Sequence, residues 1–420
     1  MQVRLKSIPD HKNTVCISKA FAVKVGIAER IRTYLKFGRN FTEIKIVLEG
    51  KYNDEIIGIS ENVLQKLAIP LFCDYEILVK EHCIELGPFV GILAGYTESN
   101  VAKRRKFFLN YTSCYHKING VILLFSLEQI DRQLEKVNAF IYNPQKKDWE
   151  KGMTGIPAVI FKKIRLSQQW RDFLVNNTGG YVFNDYVPDK YEVYLWLRDE
   201  QEIVNVINIP ETIKLTSKHQ LINMVAKFSE LMLKPIKGSQ GKGIEVINQN
   251  NYNEYINQKI YSGNYILQQR ITLLNIENSI VDFRLILVKN EKGYWEPMDL
   301  IVRLGDPGKA VSNVSAGGKA LDYCQFIERY QVGERLKAVN FKETLSQIAL
   351  LIANSIVKKG IHLGNLGIDF ALDEKLDLWL IEVNSLDPNH TIVMDAGKDR
   401  SALQKIYYKN MAYARFLAGY

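Results

Sequence analysis

The sequence has few cysteines, and their positions offer no metal site. The five cysteines are Cys16, Cys73, Cys83, Cys114 and Cys324. No two of them have the close spacing of zinc ligands, and the six histidines are scattered along the chain. We therefore expect no structural zinc, and free thiols in a reducing compartment.

A long hydrophobic run is also missing. No apolar stretch approaches the roughly 18 residues that a membrane-spanning helix needs. The N-terminal "MQVRLKSIPDHKN" lacks the apolar core of a secretory signal. These two absences predict a cytoplasmic protein without a membrane span.

The charge bias is mild. The 55 Lys and Arg residues exceed the 46 Asp and Glu residues by 9. This excess favours phosphate-bearing or acidic partners, although a basic surface without a specific role explains it equally well. The basic run "KRRK" at 103–106 is not interleaved with aromatic residues, so no specific nucleic-acid partner is predicted. Binding to an anionic polymer through the basic surface is a further alternative function.

The first ninety residues contain a repeat. In a chain of 420 residues, "TVCISKAFAVKVGI" (14–27) aligns without a gap with "EIIGISENVLQKLAI" (55–69). Each copy predicts a strand, a serine that caps a helix, and a short amphipathic helix. We therefore predict a β-rich pseudo-twofold domain at 1–90, for which a small barrel of the double-psi kind is one topology.

The next segment alternates between apolar runs and helical patterns. The runs "FVGILAG", "GVILLFS", "NAFIYNP" and "PAVIFKKI" predict strands. A helix is predicted between the first two, over "ESNVAKRRKFFLNYTSCYHKI", and another over "LEQIDRQLEKV" after the second. This alternation predicts an α/β domain at 91–185 with a parallel sheet.

The remaining residues, 186–420, carry the motifs with chemical meaning. The patterns predict a helix at 189–199, two strands around a glycine loop at 231–247, strands at 264–271, 281–290 and 295–305, a long helix at 343–360, a hairpin at 367–384 and a last helix at 399–420. The expected fold class is thus α+β, with several domains.

The glycine loop "KGSQGKG" (237–243) can present backbone N–H groups to phosphate oxygens, with Lys237 and Lys242 adding positive charge. Its spacing matches neither a Walker A loop nor G-x-G-x-x-G. Taken alone, the loop fits an ordinary glycine-rich turn as well. Lys234, at the end of a strand where a structural role is hard to assign, favours phosphate binding.

The hairpin "GIDFALDEKLDLWLIEVNS" (367–385) brings acidic residues together. A four-residue loop pairs Asp373 with Leu378 and therefore Asp369 with Glu382, and Asn384 shares their face. Two carboxylates that close repel each other unless a cation lies between them. Oxygen ligands of this kind suit Mg²⁺ or Mn²⁺. The alternative to a metal site is a solvated hairpin face with ordinary acidic residues.

Two arginines and an asparagine complete the set. Arg284 lies within the apolar strand "VDFRLIL", Arg303 follows in "LIVRLG", and Asn313 lies in "VSNVSAGG". Guanidinium groups stabilise the charge of a phosphoryl group during transfer. A structural ion pair is the alternative for either arginine taken alone.

In this order, the motifs "DK" (189–190), "IPET", "LKP", "GSQGKGI", "LQQRI", "DFR" and "IEVN" resemble those of the ATP-grasp superfamily. Together with the N-terminal repeat and "LGPFVGIL" (86–93), they resemble the YheC/YheD family, described as endospore coat-associated. The resemblance implies an ATP-grasp domain at 186–420 and a pre-ATP-grasp domain at 91–185.

The resemblance also implies residue roles. Phosphates and adenine would be bound by Lys190, Lys234, Lys237, Gly238, Ser239, Gln240, Gly241, Lys242, Gly243, Gln268, Gln269 and Ile271. The metal would be held by Asp369, Glu382 and Asn384, and the reacting groups would face Arg284, Arg303 and Asn313. Two features depart from the family pattern: the hinge carries Gln268 and Gln269 where a glutamate is frequent, and "NSLDPNH" follows the metal asparagine.

The function implied is that of an ATP- and Mg²⁺-dependent carboxylate–amine ligase that acts through an acylphosphate, with an unknown acid and an unknown amine. A link to sporulation, spore coat components as partners and a homodimer are further expectations from the resemblance. The alternative is a structural protein of the spore coat that keeps the fold without turnover.

Overall fold

The N-terminal repeat folds into a closed barrel. The computed structural model describes residues 2–9, 12–27, 32–50, 52, 54–80, 83–238, 242–308, 317–330 and 340–420. The barrel strands are β1 (Gln2–Ile8), β2 (Thr14–Ile17), β3 (Thr33–Phe37), β4 (Asn40–Leu48), β5 (Ile56–Ser60), β6 (Asp74–Lys80) and β7 (Cys83–Gly87). They close in the order β1-β5-β2-β4-β3-β7-β6.

The helices of the repeat begin where the serines predicted them. α1 (Lys19–Lys24) follows β2, and Ser18 Oγ accepts a hydrogen bond from Phe21 N at 2.8 Å. α2 (Glu61–Leu67) follows β5, but Ser60 Oγ instead accepts from the backbone N of Thr14 at 2.9 Å. The second serine therefore links the two copies of the repeat rather than capping its own helix.

A second sheet follows the barrel. Its strands are β8 (Phe89–Gly95), β9 (Val121–Ser126), β10 (Ile130–Asp131), β11 (Lys136–Asn143), β12 (Asp148–Gly155), β13 (Val159–Lys162) and β14 (Val182–Phe183), and its helices are α3 (Glu98–Phe108), α4 (Tyr115–Ile118) and α5 (Gln168–Thr178). β8 pairs in parallel with β9 and β13, and β13 with β14. β11 is antiparallel to β9 and β12, so the sheet is mixed rather than parallel throughout.

The helix predicted over 127–137 is wrong. A single 3₁₀ turn at Leu127–Gln129 leads into β10, and a hairpin follows. Asp131 starts the turn, because its Oδ1 accepts from the backbone N of Gln133 and Leu134 at 2.9 Å. An aspartate that bonds to its own downstream backbone competes with helix formation.

The C-terminal half contains two sheets. One has the order β15 (Thr212–Lys214), β18 (Tyr265–Gln269), β16 (Glu230–Pro235), β17 (Glu245–Asn248), and the other the order β22 (Lys319–Asp322), β21 (Trp295–Leu304), β20 (Ser279–Lys289), β23 (Asn365–Leu372), β24 (Leu378–Asn384), with β19 (Asn275–Ile276) beside β20. The helices are α6 (Lys190–Leu197), α7 (Gln201–Val204), α8 (Lys218–Lys227), α9 (Tyr252–Ile256), α10 (Tyr323–Tyr330), α11 (Phe341–Val357), α12 (Ile392–Asp395) and α13 (Arg400–Leu417).

Hydrophobic periodicity fixes the long helix α11. Its buried residues include Leu345, Ile348, Ala349, Ile352 and Ile356, the spacing of one helical face. Gly360, shortly after the helix ends at Val357, has φ +80°, a backbone conformation that glycine adopts without strain. The predicted helix at 343–360 is confirmed to within a few residues.

The chain divides into two compact units. One comprises Met1–Tyr186, Lys289–Tyr294 and Gln404–Tyr420, and the other Val187–Val288 and Trp295–Leu403. In the first unit, Arg415 Nη2 lies 2.7 Å from Glu76 Oε2 of the barrel, so the end of α13 returns to the N-terminal barrel. Among the described residues, no helix is both long and apolar enough to cross a membrane.

Candidate nucleotide site

The acidic hairpin of β23 and β24 contains a bulge that the sequence did not predict. Leu372 pairs with Leu378, so the loop has five residues and the predicted pairing of Asp373 with Leu378 is wrong. The register then shifts between Asp369 and Phe370, because the strand β24 has one extra residue there. Beyond the bulge Asp369 pairs with Glu382, as predicted. The bulge therefore restores the facing acidic pair that the longer loop would have lost.

Asp369 lies at the centre of a buried ionic cluster. Arg284 Nε and Nη2 lie 2.5 and 2.6 Å from its two oxygens, in a bidentate pair. Arg303 Nη2 lies 3.0 Å from Oδ2, and Asn384 Nδ2 lies 3.4 Å from the same atom. Burial alone would raise the pKa of the Asp369 carboxyl, but the two guanidinium groups outweigh it and hold that pKa below its usual range.

Arg303 has a second carboxylate partner. Its Nε and Nη2 lie 2.5 and 2.7 Å from the oxygens of Asp282, which is 2% exposed. Burial lowers the pKa of Arg303, and Asp282 and Asp369 more than reverse that effect, so the guanidinium stays charged. We call Asp282, Arg303, Asp369 and Arg284 the ion quartet; it contains two acids and two bases.

Glu382 lies beside the first residue of α6. Lys190 Nζ lies 3.5 Å from Glu382 Oε1 and donates to the carbonyl of Gly238 at 2.7 Å. Asp189 fixes the start of the helix, because its Oδ1 accepts from the backbone N of Tyr191 and Glu192 at 2.9 Å. A capping box thus positions the lysine between the acidic hairpin and the start of the glycine loop.

Lys234 is held by a chain of side-chain hydrogen bonds. Its Nζ donates to Gln268 Oε1 at 2.5 Å, and Gln268 Nε2 donates to Thr212 Oγ1 at 2.9 Å. Burial lowers the pKa of Lys234 to about 8, with Lys190 contributing in the same direction and Glu382 opposing it. The hinge residue Gln268 therefore orients a lysine rather than pointing into open space.

The other predicted nucleotide contacts are less constrained. Lys237 and Lys242 are exposed, Gln269 Oε1 accepts from Glu211 N at 3.4 Å, and Ile271 is half-buried. Gly243 has φ +70°. Ser239, Gln240, Gly241 and Asn313 lie outside the described residues.

The residues predicted to hold a metal all lie on the paired strands β23 and β24, but their side-chain oxygens have different partners. The Glu382 side chain is 32% exposed, and Asn384 uses its Nδ2 towards Asp369, which leaves its Oδ1 as an acceptor. These two oxygens fit a hard divalent cation. The negative charge of Asp369 is instead balanced by Arg284 and Arg303. The repulsion between the two carboxylates, from which a cation was predicted, is therefore relieved by side chains of the protein. Across the described part of the chain, no group of three or more His, Cys, Asp and Glu side chains could hold a metal ion.

The sequence model of the YheC/D-like ATP-grasp family matches residues 179–417, more than half of the chain. The chain belongs to this family. The α+β architecture of the C-terminal half is accordingly that of an ATP-grasp protein.

Two curated relatives of this ATP-grasp chain come from Bacillus subtilis (strain 168). The endospore coat-associated protein YheD is 23% identical over 378 residues, which are 80% of this chain and 80% of the relative. The endospore coat-associated protein YheC is 24% identical over 311 residues, which are 66% of this chain and 84% of the relative.

Two solved structures are similar at low sequence identity. The ATP-grasp ligase PsnB, complexed with a minimal precursor, has 9% identity and a TM-score of 0.48, covering 77% of this chain and 100% of that one. D-alanyl-alanine synthetase A from Vibrio cholerae has 11% identity and a TM-score of 0.48, covering 77% and 97%.

Two residues that hold predicted site residues in place were given no role from the sequence. Asp282 stands two positions before Arg284 on β20, and residues two apart on a strand share a face. A charged pair at this spacing within an apolar strand was the available signal. Thr212, which anchors Gln268, is the last residue of the motif "IPET", but its hydrogen bond depends on the pairing of β15 with β18 and was not predicted.

Proposed function

We propose that the chain is an ATP-dependent ligase that joins a carboxylate to an amine through an acylphosphate. The observation that carries this proposal is the set of four cations, Lys190, Lys234, Arg284 and Arg303, around the hairpin acids of one unit. Side chains of this charge suit a triphosphate, and membership of an ATP-grasp family supports the nucleotide.

Within this proposal, each group has a task. Lys190 and Lys234 bind the phosphates, the loop 238–243 covers them, and Gln268, Gln269 and Ile271 lie towards the adenine. Glu382 and Asn384, with Asp369 behind them, would hold Mg²⁺ or Mn²⁺. When bound, such an ion neutralises phosphate charge and orients the oxygens.

The chemistry proceeds in two displacements. A substrate carboxylate oxygen attacks the γ-phosphorus, which forms the acylphosphate and breaks the bond to ADP. The amine nitrogen then attacks the acyl carbon, expels inorganic phosphate and loses a proton. Arg284 and Arg303 would stabilise the negative charge that moves between these groups, and the rest of the catalysis is positioning.

Calorimetry with ATP and Mg²⁺ tests the nucleotide site. We expect binding by the wild-type chain and a loss of about tenfold or more in the variant Lys234→Met, because a charge-assisted hydrogen bond to phosphate is removed. The matched control is Lys218→Met, an exposed lysine in the same unit. Equal affinity of both variants, or no binding by the wild type, would reject the proposal.

A second candidate is a scaffold of the spore coat that binds nucleotide without turnover. The names of the relatives YheD and YheC, both endospore coat-associated proteins, favour it. Release of ADP, measured with panels of carboxylic acids and amines, separates the two candidates. Acid- and amine-dependent ADP release supports the ligase, whereas nucleotide binding with no release across the panels supports the scaffold.

A further inference from the structure

Asp282 holds Arg303 more firmly than Asp369 does. Asp282 engages two nitrogens of the guanidinium, at 2.5 and 2.7 Å, whereas Asp369 engages one of them at 3.0 Å. Asp369 also shares its oxygens with Arg284 and Asn384. The orientation of Arg303 is therefore set mainly by Asp282. In the proposed ligase reaction, Asp282 makes no contact with the substrate.

The bidentate geometry leaves one nitrogen of Arg303 available. A guanidinium is planar and carries five N–H donors, and Asp282 occupies the edge formed by Nε and Nη2. Within the described residues, Arg303 Nη1 makes no hydrogen bond, although the side chain is only 5% exposed. Arg284 has the same arrangement, since Asp369 takes its Nε and Nη2 and leaves Nη1.

Position in the sheet explains why Asp282 can do this. It lies on β20, the strand next to β21 that carries Arg303, and shares a face with Arg284 two residues later. The same strand thus supplies one arginine of the ion quartet and the carboxylate that fixes the other. In both arginines the Nη1 group makes no hydrogen bond to the described part of the chain, so it can donate to an anionic ligand.

We propose that Asp282 is a positioning residue that holds Arg303 with its free nitrogen towards the terminal phosphate of the bound nucleotide. This inference rests on the proposed function and deepens it, because it assigns to Arg303 the preference of the site for a nucleoside triphosphate over a diphosphate. Asp282 itself does not touch the nucleotide.

The test compares the affinities of two nucleotides for the variant Asp282→Asn. In this variant an amide replaces the carboxylate, which keeps the shape of the side chain and removes its charge. Calorimetry measures the affinities for ADP and for a non-hydrolysable ATP analogue, both with Mg²⁺. We expect the wild type to prefer the analogue, and the variant to lose about tenfold or more of that preference with little change in ADP affinity. The matched control, Asp185→Asn, alters an Asp–Arg pair with a buried carboxylate in the other unit, and keeps the preference.

The outcomes separate the two proposals. If Asp282→Asn keeps the preference, or if both affinities fall in parallel, the positioning role is overturned. If the wild type binds neither nucleotide, the proposed function fails and this inference falls with it. If the wild type binds both equally, only the inference fails.

A crystal structure of the wild type with Mg²⁺ and the analogue decides the matter should the variant not fold. We expect both bonds from Arg303 to Asp282 to persist, with Nη1 within hydrogen-bond distance of the terminal phosphate. An Arg303 that has left Asp282, or an Nη1 directed away from that phosphate, overturns the proposal.

Discussion

The affinity for ATP should fall as the pH rises through the range in which Lys234 loses its proton. Burial lowers the pKa of this side chain to about 8 from the ordinary value of 10.5. A bound triphosphate favours the charged ammonium, so binding requires proton uptake whenever the free protein has lost that proton. The sign follows: affinity is greatest below pH 8 and decreases above it.

The magnitude follows from the protonated fraction of Lys234. With a pKa of about 8, that fraction is about 0.76 at pH 7.5 and about 0.09 at pH 9, so the affinity should fall about eightfold. This corresponds to about 1.2 kcal/mol. A lysine with the ordinary pKa would be almost fully charged at both values and would leave the affinity unchanged.

Calorimetry with ATP and Mg²⁺ at several pH values measures the effect, and repeating it in buffers of different ionisation enthalpy counts the protons taken up. The variant Lys234→Arg is the control, because a guanidinium keeps its charge throughout this range and should flatten the profile. A flat wild-type profile, or an equal slope in the arginine variant, would refute the reasoning.

Three further substitutions have expected effects on stability, each measured by urea unfolding. Asp369→Ala removes a carboxylate partner from two buried guanidinium groups and should lower the free energy of unfolding by about 3–5 kcal/mol. A decrease below about 1 kcal/mol would contradict the buried ion pairs. Gly243→Ala places a side chain at φ +70° and should cost about 1–2 kcal/mol, whereas an unchanged midpoint would mean that the loop adopts another conformation. Ser60→Ala removes the acceptor of the Thr14 N–H and should cost about 1–3 kcal/mol, unlike the exposed Ser113→Ala, which should be nearly neutral.

Local patterns predicted much of the fold. The strands and helices of residues 186–420 follow from hydrophobic periodicity, and the capped helix at Lys190 follows from an aspartate before it and a glutamate three residues on. Such signals are contained within a few neighbouring residues. The helix predicted over 127–137 failed because a single aspartate, Asp131, satisfies its own downstream backbone instead.

The facing acidic pair of the hairpin was predicted from a loop of the wrong length. The loop is one residue longer than expected, and the bulge in β24 compensates for it. Neither feature has a clear signature in the sequence, because a bulge is set by the pairing of the whole strand. Asp369 and Glu382 face each other in the structure, although the four-residue loop from which this pairing was predicted is wrong.

A structural ion pair was the alternative predicted for each arginine, but the partners in the ion quartet could not be predicted, since it joins side chains from three adjacent strands. Arg284, Arg303 and Asp369 were each singled out for a separate task, with a metal ion expected to compensate the acids. The fold instead pairs them with one another. Their roles towards a nucleotide are predictions, and they depend on the guanidinium nitrogens that these ion pairs leave unbonded.

The return of residues 404–420 to the first unit has a consequence for synthesis. As the ribosome releases the chain, the barrel and its neighbouring sheet are complete as far as Tyr186 but lack the segment whose Arg415 reaches Glu76. The whole second unit must emerge before that segment is made. A nonsense mutation at Gln404 would therefore damage the unit that contains the barrel, although the barrel strands themselves would still be translated.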